Sequence, residues 1–144
     1  MIQKLVIDSG IAIKWFVDEP DSESAKLSLD GFKLGKYEFF APDLIYSEVG
    51  NIFWKKVTFD GFKVADAEFA IESFKEIPIL TVASLSLFDA AFTIATKHNR
   101  TFYDSLYLAL GERMGCPFIT ADTRLFNSLK SSFHNIALLS NWSE

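Results

Sequence analysis

The sequence predicts an α/β fold, a three-layer α/β/α sandwich around a mostly parallel central sheet. Three observations carry this. Runs such as Leu5-Val6-Ile7 and Phe118-Ile119-Thr120 are too brief for helices and rich in β-branched and aromatic residues. They alternate with longer stretches of helical periodicity. The runs are continuously apolar, as in strands covered on both faces. No internal repeat or linker interrupts residues 1–144, so a single domain is expected. A chain of this size can bury about two thirds of its unfolded surface without disulfide staples.

The elements follow in order. A strand is expected over 3–7, then a short helix from Ser9 to Val17 carrying Ile11, Ile13, Trp15 and Phe16. Residues 18–23 form a turn, where Asp21 or Ser22 is placed to cap a helix over 23–30. Tyr37 to Phe40 reads as a second strand. Pro42 suits the first turn of a helix over 42–57, whose stripe is Leu44, Ile45, Val49, Ile52, Phe53 and Val57. Asp60-Gly61 breaks that helix. The next runs from Lys63 to Glu76 with Val64, Ala67, Ile71 and Phe74 inward, and Pro78 ends it. Ile79 to Val82 is a third strand and Ser86 to Lys97 a helix. Thr101 caps a helix over 102–114, stopped by Gly115 and Pro117. Phe118 to Thr120 is the fourth strand, followed by a helix over 123–130 and a last strand from Ile136 to Leu139.

Composition bounds the function. Apolar residues make up 49% and charged residues 23%, so the chain is not a disordered one. Acids exceed bases, 19 to 14, for a net charge of -5. That balance excludes gripping nucleic acid by bulk electrostatics. The single cysteine, Cys116, allows no intrachain disulfide and reads as a small buried filler. Asp8 interrupts the first apolar run too early for a secretory leader, and no stretch nears the roughly 20 apolar residues a membrane span needs. A cytoplasmic protein without a membrane partner is expected. The 15 phenylalanines exceed the needs of a small core and imply a partner chain, such as the second copy of a homodimer.

In an open parallel sheet, ligands gather at the carboxyl ends of the strands. Asp8 follows the first strand and Asp122 the fourth. Two further acids interrupt apolar helix faces: Glu48 borders its helix's buried stripe, and Asp104 lies early in Thr-Phe-Tyr-Asp-Ser-Leu-Tyr-Leu-Ala-Leu. Singly, each has an ordinary structural use as a cap, a first-turn acid or a lysine partner. Four such acids converging on one sheet edge form a hard, oxygen-rich site suited to Mg²⁺ or Mn²⁺ rather than Zn²⁺. The two histidines, His98 and His134, read as surface residues, and the seven glycines make no phosphate-binding loop.

These residues resemble PIN-domain ribonucleases, and most closely VapC-type toxins of type II toxin–antitoxin systems. Four segments carry the likeness: Val6-Ile-Asp-Ser-Gly-Ile-Ala-Ile-Lys-Trp-Phe, Ala41-Pro-Asp-Leu-Ile-Tyr-Ser-Glu-Val-Gly-Asn-Ile-Phe-Trp-Lys, Thr101-Phe-Tyr-Asp-Ser-Leu-Tyr-Leu-Ala-Leu-Gly and Phe118-Ile-Thr-Ala-Asp-Thr-Arg-Leu-Phe. They occur in family order. The resemblance implies that Asp8, Glu48, Asp104 and Asp122 are catalytic metal ligands for one or two Mg²⁺ or Mn²⁺ ions. It also implies RNA as substrate, cleavage leaving a 5′-phosphate, and a cognate antitoxin as partner. Ser9-Gly10 departs from the small-hydroxyl pattern that the family often shows after the first acid.

Ser9, Asn51 and Thr120 are the expected supporting groups around the ligands. Lys14, Lys55, Lys56 and Arg124 are candidates for tracking phosphates. Asp18, Glu19, Asp21 and Glu23 share one loop, expected to face away from the site. Two bound ions would offset much of the acid excess, so RNA affinity should depend on divalent metal. Three other classes share parts of this pattern. Phosphotransfer enzymes of similar architecture want a second acid where Gly10 stands, or a phosphorylated Asp where Ala83-Ser84 follows the third strand. A housekeeping PIN-type RNA-processing nuclease would share the site, and a non-catalytic PIN-fold binding module would bind no Mn²⁺.

Overall fold

The computed structural model describes residues 1–142. Five strands form one parallel sheet: β1 (Gln3–Ile7), β2 (Tyr37–Pro42), β3 (Leu80–Val82), β4 (Phe118–Thr120) and β5 (Ile136–Leu138). The helices are α1 (Ser9–Lys14), α2 (Ser22–Lys33), α3 (Leu44–Phe59), α4 (Val64–Lys75), α5 (Ser84–His98), α6 (Phe102–Met114) and α7 (Thr123–Leu129), with a short 3-10 turn at Leu139–Asn141. The strand order is β3-β2-β1-β4-β5. The chain therefore builds outward from β1 in one direction, then returns to β4 and builds outward in the other. The crevice beyond the carboxyl ends of β1 and β4, where the order reverses, is where such sheets bind ligands.

Parallel pairing follows from the connections, since helices return the chain to the sheet's starting edge before each new strand. Leu5, Val6 and Ile7 of β1 are fully buried, as are Phe39 of β2 and Phe118 and Ile119 of β4, all nearly without exposure. Phe39 stacks between Trp15 and Phe32, with centroids at 5.1 and 4.9 Å. Thus the first helix and α2 are locked to the sheet by aromatic packing.

Several expectations need correction. Pro42 does not open a helix; it is the last residue of β2, in register with Val82, and α3 begins at Leu44. A strand end tolerates proline's missing N–H, and the next residue, Asp43, donates its backbone N–H to the Val82 carbonyl at 2.9 Å. Val64 is 58% exposed rather than inward, because the buried face of α4 runs through Ala67, Ala70 and Phe74, with Ile71 half-buried. The expectation of a sheet covered on both faces fails at β3, an edge strand whose Leu80 is 48% exposed. Asp21 does precede α2, but in a left-handed conformation and without a side-chain cap. Instead Ser22 closes the loop, accepting the Glu19 N–H and donating to the Val17 carbonyl, both at 2.9 Å. His98 is half-buried at the end of α5, its ring 5.0 Å from that of Phe133.

Candidate active site

Asp8 stands where β1 ends and α1 begins. Its Oδ1 accepts the Ile11 N–H at 3.0 Å, capping the helix. Its Oδ2 accepts the Thr120 hydroxyl at 2.8 Å, across the β1–β4 switch point. The same hydroxyl accepts the Asp122 N–H at 3.0 Å, so one buried threonine joins the two strand-end acids. Asp122 in turn caps α7, accepting the Leu125 N–H at 3.0 Å.

Glu48 and Asp104 come in on helices. Glu48 lies in the second turn of α3, close to the end of β2, and accepts the Tyr107 hydroxyl at 2.6 Å. Ser9 also hydrogen-bonds Glu48 through its side chain, and its backbone N–H serves the Tyr107 hydroxyl. Asp104 sits in the first turn of α6, where Thr101 caps the helix by accepting the Asp104 N–H at 3.0 Å. The Arg100 guanidinium stands 3.5 Å from Asp104 Oδ2.

These four acids line one cleft of about 350 Å³, together with Ser9, Thr120 and Tyr107. Among the described residues, no histidine or cysteine lines it. Burial, with Glu48 and Asp104 nearby, pushes the Asp8 carboxyl up to about 6 despite its two hydrogen bonds. Burial likewise raises Glu48, opposed by the Tyr107 hydrogen bond and reinforced by the charge of Asp104. Burial and the Glu48 carboxylate raise the Tyr107 phenol far above its usual range, so it stays a donor. The cleft concentrates negative charge that the protein neutralises only in part. Its chemistry, four hard oxygen donors against the one ion pair of Arg100 with Asp104, fits a divalent ion. Among the described residues, however, no group of three or more His, Cys, Asp or Glu is arranged to hold a metal ion. The carboxylates ring a cleft rather than close a ligand shell.

Of the expected supporting groups, Ser9 and Thr120 line the cleft. Asn51 does not: three residues beyond Glu48 on α3, it is exposed and lies outside the cleft lining. The loop expected to face away contributes Glu19 to the cleft wall, beside Lys14. Tyr107 joins the cleft beyond the expected residues, and its signal in the sequence is a polar-tipped ring three residues after Asp104 in an apolar helix.

The PIN domain family matches residues 5–130 of the chain. This chain belongs to the PIN-domain family. Its relatives include VapC-type ribonucleases. Ribonuclease VapC3 of Pyrobaculum aerophilum is 30% identical over 126 residues, covering 85% of this chain and 92% of that protein. Ribonuclease VapC9 of Mycobacterium tuberculosis is 29% identical over 121 residues, 84% of this chain and 87% of its own. Solved structures share the PIN fold at lower identity. A crystal structure of a Pyrobaculum aerophilum protein superposes with a TM-score of 0.70 at 18% identity, covering 97% of this chain and 93% of that one. A toxin–antitoxin complex from Klebsiella pneumoniae gives 0.65 at 12% identity, over 94% and 97%.

Proposed function

We propose that the chain is a divalent-metal-dependent endoribonuclease, the toxin of a toxin–antitoxin pair. The observation that carries this is the gathering of Asp8, Glu48, Asp104 and Asp122 in one cleft of a PIN-family chain whose relatives are named ribonucleases. Those four acids would hold one or two Mg²⁺ or Mn²⁺ ions. Bound there, the metal would acidify a water to serve as nucleophile and neutralise charge on the attacked phosphate and leaving oxygen. The chain's own part is to orient donors. Thr120 and the Ile11 N–H fix Asp8, Tyr107 and Ser9 fix Glu48, and Arg100 steadies Asp104.

Purified Asp8→Asn and Asp104→Asn proteins are expected to lose Mg²⁺-dependent RNA cleavage by on the order of a hundredfold or more. Undiminished cleavage by both would remove the assignment. The antitoxin is proposed from the toxin–antitoxin complex that shares the fold. A second copy is the other proposed partner, since Leu85, Phe88 and Phe92 leave an exposed apolar row on α5. Light scattering at high concentration should return the mass of a dimer; a monomer mass throughout would count against it.

A further inference from the structure

The loop between α1 and α2 makes a contact that the proposed reaction does not use. Lys14, the last residue of α1, and Lys56, in the last turn of α3, both turn their ammonium groups onto Glu19. Lys14 Nζ stands 3.4 Å from Glu19 Oε1, and Lys56 Nζ stands 2.8 Å from Oε2. Lys14 also donates to the Pro20 carbonyl at 2.8 Å. We propose that Lys14 and Lys56 are contacts for a backbone phosphate of the RNA strand, and that Glu19 stands in for that phosphate in the free protein. This rests on the ribonuclease reading above.

Position is the first support. Lys14 and Glu19 line the same cleft as Asp8, Glu48, Asp104 and Asp122. A strand threaded past those acids would place a neighbouring phosphate within reach of these ammonium groups. Chemistry is the second. Two cations from separate elements meet one carboxylate, each on its own oxygen. A phosphodiester also offers two non-bridging oxygens sharing one negative charge. Burial is the third. The lysine side chains are only 13% and 17% exposed, against 28% for Glu19. Lysines with no task normally extend into water. Burial alone would raise the Glu19 carboxyl, but the Lys56 hydrogen bond and both lysine charges outweigh it and hold the group below its usual value. The free protein thus keeps Lys14 at the cleft and Lys56 behind Glu19, two positive charges sharing one carboxylate. Exchange of Glu19 for phosphate would free them for RNA without adding to the net charge of the chain, and would disfavour weaker polyanions.

The test is steady-state cleavage of a short single-stranded RNA in Mg²⁺ over a series of KCl concentrations, with Tm recorded for every variant. Glu19→Gln should lower KM roughly three- to tenfold with kcat unchanged, because binding no longer has to break two partly buried ion pairs. Lys14→Met and Lys56→Met should raise KM, and each should flatten the dependence of log KM on log salt by about 0.7. Lys56→Arg should keep the wild-type slope. A purely structural strut predicts something else: Glu19→Gln would lower Tm and leave KM and the salt slope where they were, and that result overturns the inference. Glu19→Gln preserves size and keeps the proposal testable should a lysine variant fail to fold. Wild-type protein that cuts RNA while KM and slope stay flat across the variants overturns this inference alone. Wild-type protein that cuts no RNA overturns the ribonuclease reading together with it.

Discussion

Asp8 does three things at once: it ends β1, caps α1 and stands beside two other acids. Its backbone position satisfies the fold, while its charge opposes it. The carboxyl titrates near 6 in the folded protein against 3.8 unperturbed, so folding takes up a proton between those values. In the absence of metal, stability should fall as pH rises from about 4 to about 6 and stay lower above that. Asp8→Asn removes the charge and keeps an oxygen for the cap. Its Tm in EDTA should therefore exceed that of the wild type at pH 8, with the difference shrinking toward pH 4. An equal difference at both pH values would show that the charge is not the cause. The same substitution is expected to abolish cleavage, which would separate the needs of the fold from those of the reaction at one residue.

Among the elements, α6 shows how local signals set a side chain of the cleft. Thr101 caps it, Gly115 closes it in a left-handed conformation at φ 61, and Tyr107 through Gly111 are buried. The cap hydrogen-bonds the Asp104 N–H itself, so the residue that starts the helix also sets the height of the acid in the cleft. Thr101→Ala should cost about 1 kcal/mol of stability by thermal or urea unfolding. It should also reduce cleavage more than a cap on a remote helix would. Loss of stability with full activity would uncouple the cap from the site. Cap residues and terminating glycines were legible because they act within a few residues of themselves. The misplacement of Pro42 has the opposite origin. Proline suits both a helix start and a strand end, and only the pairing of β2 with β3 decided between them. Val64 fits a helical stripe equally well, but the buried face of α4 passes through its alanines.

For the whole molecule, the strand order determines what the acids can do. With β1 and β4 adjacent at the reversal point, Asp8 and Asp122 share a threonine, and the helices bring Glu48 and Asp104 to the same cleft. The net charge of -5 then bears on substrate binding. RNA affinity should drop steeply in EDTA and recover with Mg²⁺ or Mn²⁺, measured by fluorescence anisotropy on the Asp104→Asn protein to prevent cleavage. Equal affinity with and without divalent ions would contradict the metal-bridged reading. The sequence by itself determined the alternation of strands and helices, the cap at Thr101 and four acids that line one cleft, because periodicity, capping and an acid breaking an apolar stripe all act over a few neighbouring residues. Only the tertiary structure decided the partners. Thr120 reaches Asp8 across 112 positions, Tyr107 reaches Glu48 across 59, and Lys56 reaches Glu19 across 37. Contacts at such separations are set by how elements stack, and no local pattern encodes them. For that reason the loop expected to face away from the site supplies Glu19 to its wall.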